Sequence, residues 1–157
     1  MEELERLETN PSEGVVVVRP AVETMSRQRL PYYVGISEAT AGAKNISMNL
    51  IVIPPAGAAE PHLHRGYENA IYLLKGRVVT RYGQQLEKSI ICQEGDFILI
   101  KPDVPHQPIN LNATEPALAI VARNDPNEQE SVVHHGPQSW THRRLGSDHT
   151  SANGAAL

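Results

Sequence analysis

The chain has 157 residues, 40% of them hydrophobic and 20% charged, which is enough for one compact domain and too little for two. Fourteen Lys and Arg stand against eighteen Asp and Glu, a net charge of −4, so the chain lacks the basic excess that binding to a nucleic-acid backbone or an anionic membrane surface requires. Eleven Gly and twelve Pro, with only five Tyr, one Phe and one Trp, favour short strands joined by tight turns, so an all-β fold is expected.

In chain order, residues 1–13 carry Glu2, Glu3, Glu5, Glu8 and Glu13 against Arg6, and Leu4 and Leu7 are spaced as on a short amphipathic helix before the Asn10-Pro11 break. The segment reads as an acidic helical arm that packs on the domain or on a partner chain. Met1 to Glu8 is acidic where a signal peptide would be basic and then apolar, and no apolar run approaches a membrane span. A cytoplasmic protein is the expectation, with neither membrane nor nucleic acid as a partner.

Residues 14–130 form the domain. Its β-branched runs predict strands at Val15 to Val18, Pro31 to Val34, Ser47 to Ile53, Ala70 to Leu74, Arg77 to Tyr82, Ser89 to Cys92, Phe97 to Ile100 and Ala117 to Ala122. Turn signals such as Pro54-Pro55-Ala56-Gly57, Lys75-Gly76 and Glu94-Gly95-Asp96 separate them at the close spacing of a sandwich or barrel. The lone cysteine, Cys92, cannot form an internal disulfide and sits in an apolar run, so it reads as a packed small side chain in a reducing compartment. Residues 131–157 form a polar tail in which His134, His135, His142 and His149 read as solvated and Trp140 as a docking residue, with 146–157 expected to be disordered.

The stretch Pro61-His62-Leu63-His64-Arg65-Gly66-Tyr67-Glu68 carries the chemistry. Strand residues two apart share a face, so His62 and His64 present two imidazoles side by side, the arrangement a first-row metal needs from a pair of ligands. Glu68 keeps their parity, and a bulge at Gly66 would return its carboxylate to the same pocket. A third histidine, His106, lies between Pro105 and Gln107-Pro108 directly after the strand Phe97 to Ile100, where the prolines restrict the backbone.

These residues resemble the two linked motifs of the cupin superfamily. Gly57, His62, His64, Glu68 and Gly76 match the first motif, and Gly95, Pro102, His106 and Asn110 match the second; the resemblance runs over residues 47 to 122. It implies a double-stranded β-helix, a jelly-roll-like barrel, of the small single-domain RmlC-like type, with one divalent metal ion per chain. His62, His64, His106 and Glu68 are then the expected ligands. Counting back from Gly76 instead places Asn69 in the carboxylate position, which leaves a three-histidine site completed by water as the alternative. Asp103 stands where the second motif has glycine, and Asn110 reads as a strand-end hydrogen-bonding residue.

Open positions on an octahedral ion favour iron(II), manganese(II) or nickel(II), with zinc if the geometry tightens to four ligands. Tyr33, Met48, Tyr72 and Phe97 are the expected pocket residues, and Arg27, Arg29 or Lys101 the anion anchors. A small, metal-chelating organic substrate follows, with a non-haem dioxygenase or other oxidoreductase as the first reading. The alternatives are a Lewis-acid lyase, isomerase or cyclase, or a module that binds a small ligand without turning it over. A homodimer is expected, because short strands expose sheet edges that the acidic arm can cover.

Overall fold

Where the sequence alternates, the backbone pairs. The computed structural model describes residues 14–19, 23–127 and 131–136; the acidic arm and residues 137–157, with Trp140, His142 and His149, lie outside the described residues. The described elements are β1 (Glu23–Met25), β2 (Pro31–Ile36), α1 (Glu38–Ala41), β3 (Ser47–Ile53), β4 (His62–His64), β5 (Asn69–Lys75), β6 (Arg77–Tyr82), β7 (Lys88–Gln93), β8 (Phe97–Ile100), β9 (His106–Asn110), β10 (Ala117–Arg123) and β11 (Val132–His134). No helix among the described residues is long and apolar enough to cross a membrane.

The strands form two antiparallel sheets, ordered β1-β2-β3-β10-β5-β8 and β11-β4-β9-β6-β7. From β3 onward, apart from the β6–β7 hairpin, consecutive strands alternate between the sheets, so residues distant in sequence become neighbours. The core takes Ile51, Ile53, Leu73, Ala117 and Ala119 from the first sheet and Val78 and Cys92 from the second, so the two inner faces pack together as the double-stranded β-helix requires. Cys92 is buried there, and burial raises its thiol pKa, consistent with a packing role.

The run Val15 to Val18 departs from expectation. It forms no strand, Val15 and Val17 are exposed, and none of the described residues pairs with it in a ladder. Two turn positions explain residue choices that bear on the site. Gly76, at φ 99°, joins β5 to β6, and a Cβ added there would lie 2.9 Å from the Cβ of Ala117. Asp103, where a glycine was expected, holds φ 62°, a left-handed conformation that Asp tolerates. Its amide donates to the carbonyl of His64 and its Oδ1 accepts from Gly66 N, which ties the β8–β9 loop to the end of β4.

Candidate metal centre

His62 and His64 occupy the inward positions of the short strand β4 and are both buried. β9 pairs antiparallel with β4, placing His106 directly opposite His62 in the ladder. The ring centroids are 4.3 Å apart for His62 and His106, 5.1 Å for His62 and His64, and 5.4 Å for His64 and His106. One nitrogen from each of the three lies within 4.8 Å of the others, and no other such group of His, Cys, Asp or Glu occurs among the described residues.

The surroundings set the protonation of these rings. His62 Nδ1 lies 2.7 Å from the carbonyl of Glu60, and His106 Nδ1 lies 2.9 Å from that of Val104. A carbonyl only accepts, so Nδ1 carries the proton in both rings and Nε2 keeps its lone pair. His64 Nδ1 is buried with no hydrogen-bond partner among the described residues, which fits a ring kept for coordination. Burial is the largest cause holding all three pKa values down. His106 is lowered to about 4, His62 well below its ordinary value with added repulsion from His106, and His64 in the same direction with added repulsion from the Arg123 guanidinium. Three neutral imidazoles on one wall are the donor set a divalent first-row ion takes, so the residues present fit such an ion.

The histidines line a cavity of about 70 Å³ between the sheets. Its wall is apolar at Ile51, Ile71, Leu73 and Val78 and polar at one end, where Ser47, Arg123 and Asn69 stand side by side on β3, β10 and β5. Arg123 Nε donates to Asn69 Oδ1 over 2.6 Å. A cleft of about 730 Å³ beside β7 and β8 shares Thr80, Ile98, Ile100 and His106 with this cavity, so His106 is one of four side chains between the interior and the surface.

Other expected site residues stand elsewhere. Glu68 is exposed in the turn before β5, its amide donates to Asn124 Oδ1, and it does not line the cavity; Asn69 takes the inward position instead. Tyr33, Met48 and Tyr72 are likewise absent from the cavity wall, and Phe97 lines only the outer cleft. Tyr33 donates its hydroxyl to Glu23, Met48 is exposed, and Tyr72 stacks on Phe97 outside the first sheet. Arg27 and Arg29 do not line the cavity and Lys101 lines only the outer cleft, so the cation inside is Arg123, which the sequence analysis did not single out. The parity of Ala117, Ala119, Val121 and Arg123 on β10 was the signal for it. His134 is exposed beside Glu60, and His135 is half-buried with Nε2 2.7 Å from the carbonyl of Gln84.

Asn110 behaves as expected. Its buried Nδ2 donates to the carbonyls of Ile53, Pro54 and Glu115, and its Oδ1 accepts from Asn112 N, which fixes the end of β9 opposite His106.

Residues 49–123 match a family described as the Cupin domain. The sequence matches no curated protein. Among solved structures, the fold is similar to oxalate decarboxylase from Lactobacillus farciminis, with TM-score 0.61 and 20% identity over 79% of this chain and 38% of that one. The chain thus spans well under half the length of that enzyme. It is also similar to the polyketide cyclase RemF from Streptomyces resistomycificus, with TM-score 0.57 and 21% identity over 75% of this chain and 79% of that one. A third similar structure is an uncharacterized protein with a double-stranded β-helix domain from Klebsiella pneumoniae, with TM-score 0.56 and 16% identity over 82% of this chain and 96% of that one.

Proposed function

The chain belongs to the cupin superfamily, and we propose that it is a metal-dependent enzyme acting on a small, metal-chelating organic molecule. The observation that carries this reading is the convergence of three buried, neutral imidazoles on the wall of one cavity between the sheets. A bound divalent ion would supply Lewis acidity and, where its valence can change, one-electron chemistry with dioxygen.

The chain's own residues do the rest. His62, His64 and His106 would hold the ion, and the carbonyls of Glu60 and Val104 orient two of those rings. Ile71, Ile98 and Val121 limit the water that reaches the reacting groups. Iron(II), manganese(II) or nickel(II) suits the donor set, because three ligands from one wall leave coordination positions facing the cavity. Oxidative chemistry, as in a non-haem dioxygenase, is the preferred reaction class.

A second reading, in which the ion acts as a Lewis acid without oxygen, draws support from the similar structures, which include a decarboxylase and a cyclase. Elemental analysis of protein from its natural host, followed by parallel aerobic and anaerobic screens of β-dicarbonyl, hydroxy-acid and phenolic compounds, separates the readings. Oxygen uptake stoichiometric with product supports the dioxygenase. Turnover without oxygen supports the Lewis-acid enzyme, and tight binding with no turnover in either atmosphere overturns both in favour of a binding module.

The reading includes self-association. Support comes from the outer face of the first sheet, where Ala70, Tyr72, Phe97, Leu99, Ile120 and Ala122 form one apolar surface and Phe97 is 85% exposed. A second copy meeting this face would cover it in an isologous pair.

A further inference from the structure

The polar end of the cavity is the part that metal binding by histidine leaves unexplained. β10 pairs with both β3 and β5, and the register sets Arg123 beside Ser47 on one side and Asn69 on the other. All three are buried; Arg123 retains only 6% of its exposure and Asn69 2%. A guanidinium is seldom taken out of water without a use for its charge or fork of donors. Here the Nε bond to Asn69 orients it, and further contacts hold it.

The electrostatic balance of the wall points to an anion. The three histidines are neutral, and no described residue lining the cavity is acidic. Asn69 occupies a position where a carboxylate would have placed a negative charge beside Arg123; its amide aligns the guanidinium without adding one. A divalent ion on the histidines would make the wall more positive, and in a low-dielectric space that favours a negatively charged occupant. Size bounds the occupant as well. The cavity is small, about 70 Å³, and meets the outer cleft only at Thr80, Ile98, Ile100 and His106, which suits a small occupant.

We propose that Arg123 and Asn69 form a carboxylate site, and that the substrate class of this cavity is a small 2-hydroxy or 2-oxo acid whose carboxylate lies at the polar end. The α-oxygen of such an acid is then the group that turns toward the histidines. The assignment rests on the metal-enzyme reading for its chemistry, but the anion site itself is a property of Arg123 and Asn69 and is measurable with or without metal.

The test uses glycolate and its neutral isostere glycolamide, titrated calorimetrically into wild-type protein, both metal-free and loaded with manganese(II), and into Arg123→Gln and Asn69→Asp. Glycolate should bind about tenfold or more tightly than glycolamide in the wild type, because an Arg–carboxylate pair is charge-assisted. Arg123→Gln should abolish most of that preference while keeping its metal content. Asn69→Asp, which sets a negative charge beside the guanidinium, should lower glycolate affinity about tenfold and leave glycolamide unchanged. Equal binding of the two compounds in wild type, or a glycolate preference that survives both substitutions, overturns the carboxylate site. A wild type that takes up no manganese overturns the metal reading instead; the metal-free titrations then decide the carboxylate site by the same criteria.

Discussion

Asn69 and Arg123 face each other across the β5–β10 ladder, and their side chains are joined inside the cavity wall by a 2.6 Å hydrogen bond. Glu68, the preceding residue, lies outside β5 and is exposed. Glu68→Ala should therefore leave metal content unchanged and shift stability by less than about 0.5 kcal/mol. Asn69→Ala strips a buried guanidinium of a partner and should destabilise by about 2 kcal/mol while keeping all three histidines. Metal content of the purified variants and urea melts measure both; loss of metal in Glu68→Ala would contradict the geometry.

Asn110 makes a second prediction. Its side chain satisfies three carbonyls and one amide at the end of β9, so Asn110→Ala leaves several of these groups short of a partner. A destabilisation of about 3 kcal/mol is expected, against less than about 0.5 kcal/mol for the exposed Glu94→Ala. Equilibrium unfolding of both variants reads the difference.

Acid should destabilise the metal-free protein. The pKa of His106 falls from an ordinary 6.5 to about 4 on folding, and those of His62 and His64 are lowered in the same direction. Below the ordinary value the unfolded chain binds more protons than the folded one. The stability contributed by neutral histidine is thus fully present above about pH 7 and is lost as pH falls through 6.5 toward 4. His106 alone accounts for about 3 kcal/mol over that window. Urea melts at pH 8 and pH 5 check the sign, and equal stability at both would contradict it.

Self-association is tested at the outer face of the first sheet. Sedimentation of the wild type should give about twice the 17.2 kDa chain mass, and Phe97→Glu should shift it toward the monomer by charging an apolar interface. A wild type that is monomeric at micromolar concentration would contradict the proposal.

Strand parity explains both what was legible in the sequence and what was not. Alternation over Ser47 to Ile53 was clear because the strand is long and half-buried, and His62 and His64 could be placed on one face by the same rule. Parity does not survive a turn. The residues between His64 and Asn69 include Gly66 at φ 75°, and the count restarts in β5 with Asn69, Ile71 and Leu73 facing inward. Glu68 and Tyr72, two expected residues that share a phase, therefore went to the wrong face together. Met48 and Phe97 follow the same logic, since their neighbours Ser47 and Ile98 line the cavity; so does Tyr33, next to the buried Tyr32. β1 and β11 were not legible, being three residues each, and β11 is held by β4, a strand distant in sequence.

The central claim is that His62, His64 and His106 together hold one divalent ion. Titrating metal-free protein with cobalt(II) and following its visible d–d absorption tests this most directly, because the bands report nitrogen ligation as well as stoichiometry. The account predicts saturation at one cobalt per chain in the wild type and loss of the signal in each of His62→Ala, His64→Ala and His106→Ala. Undiminished titration in the three histidine variants, or no bands in the wild type, would contradict it.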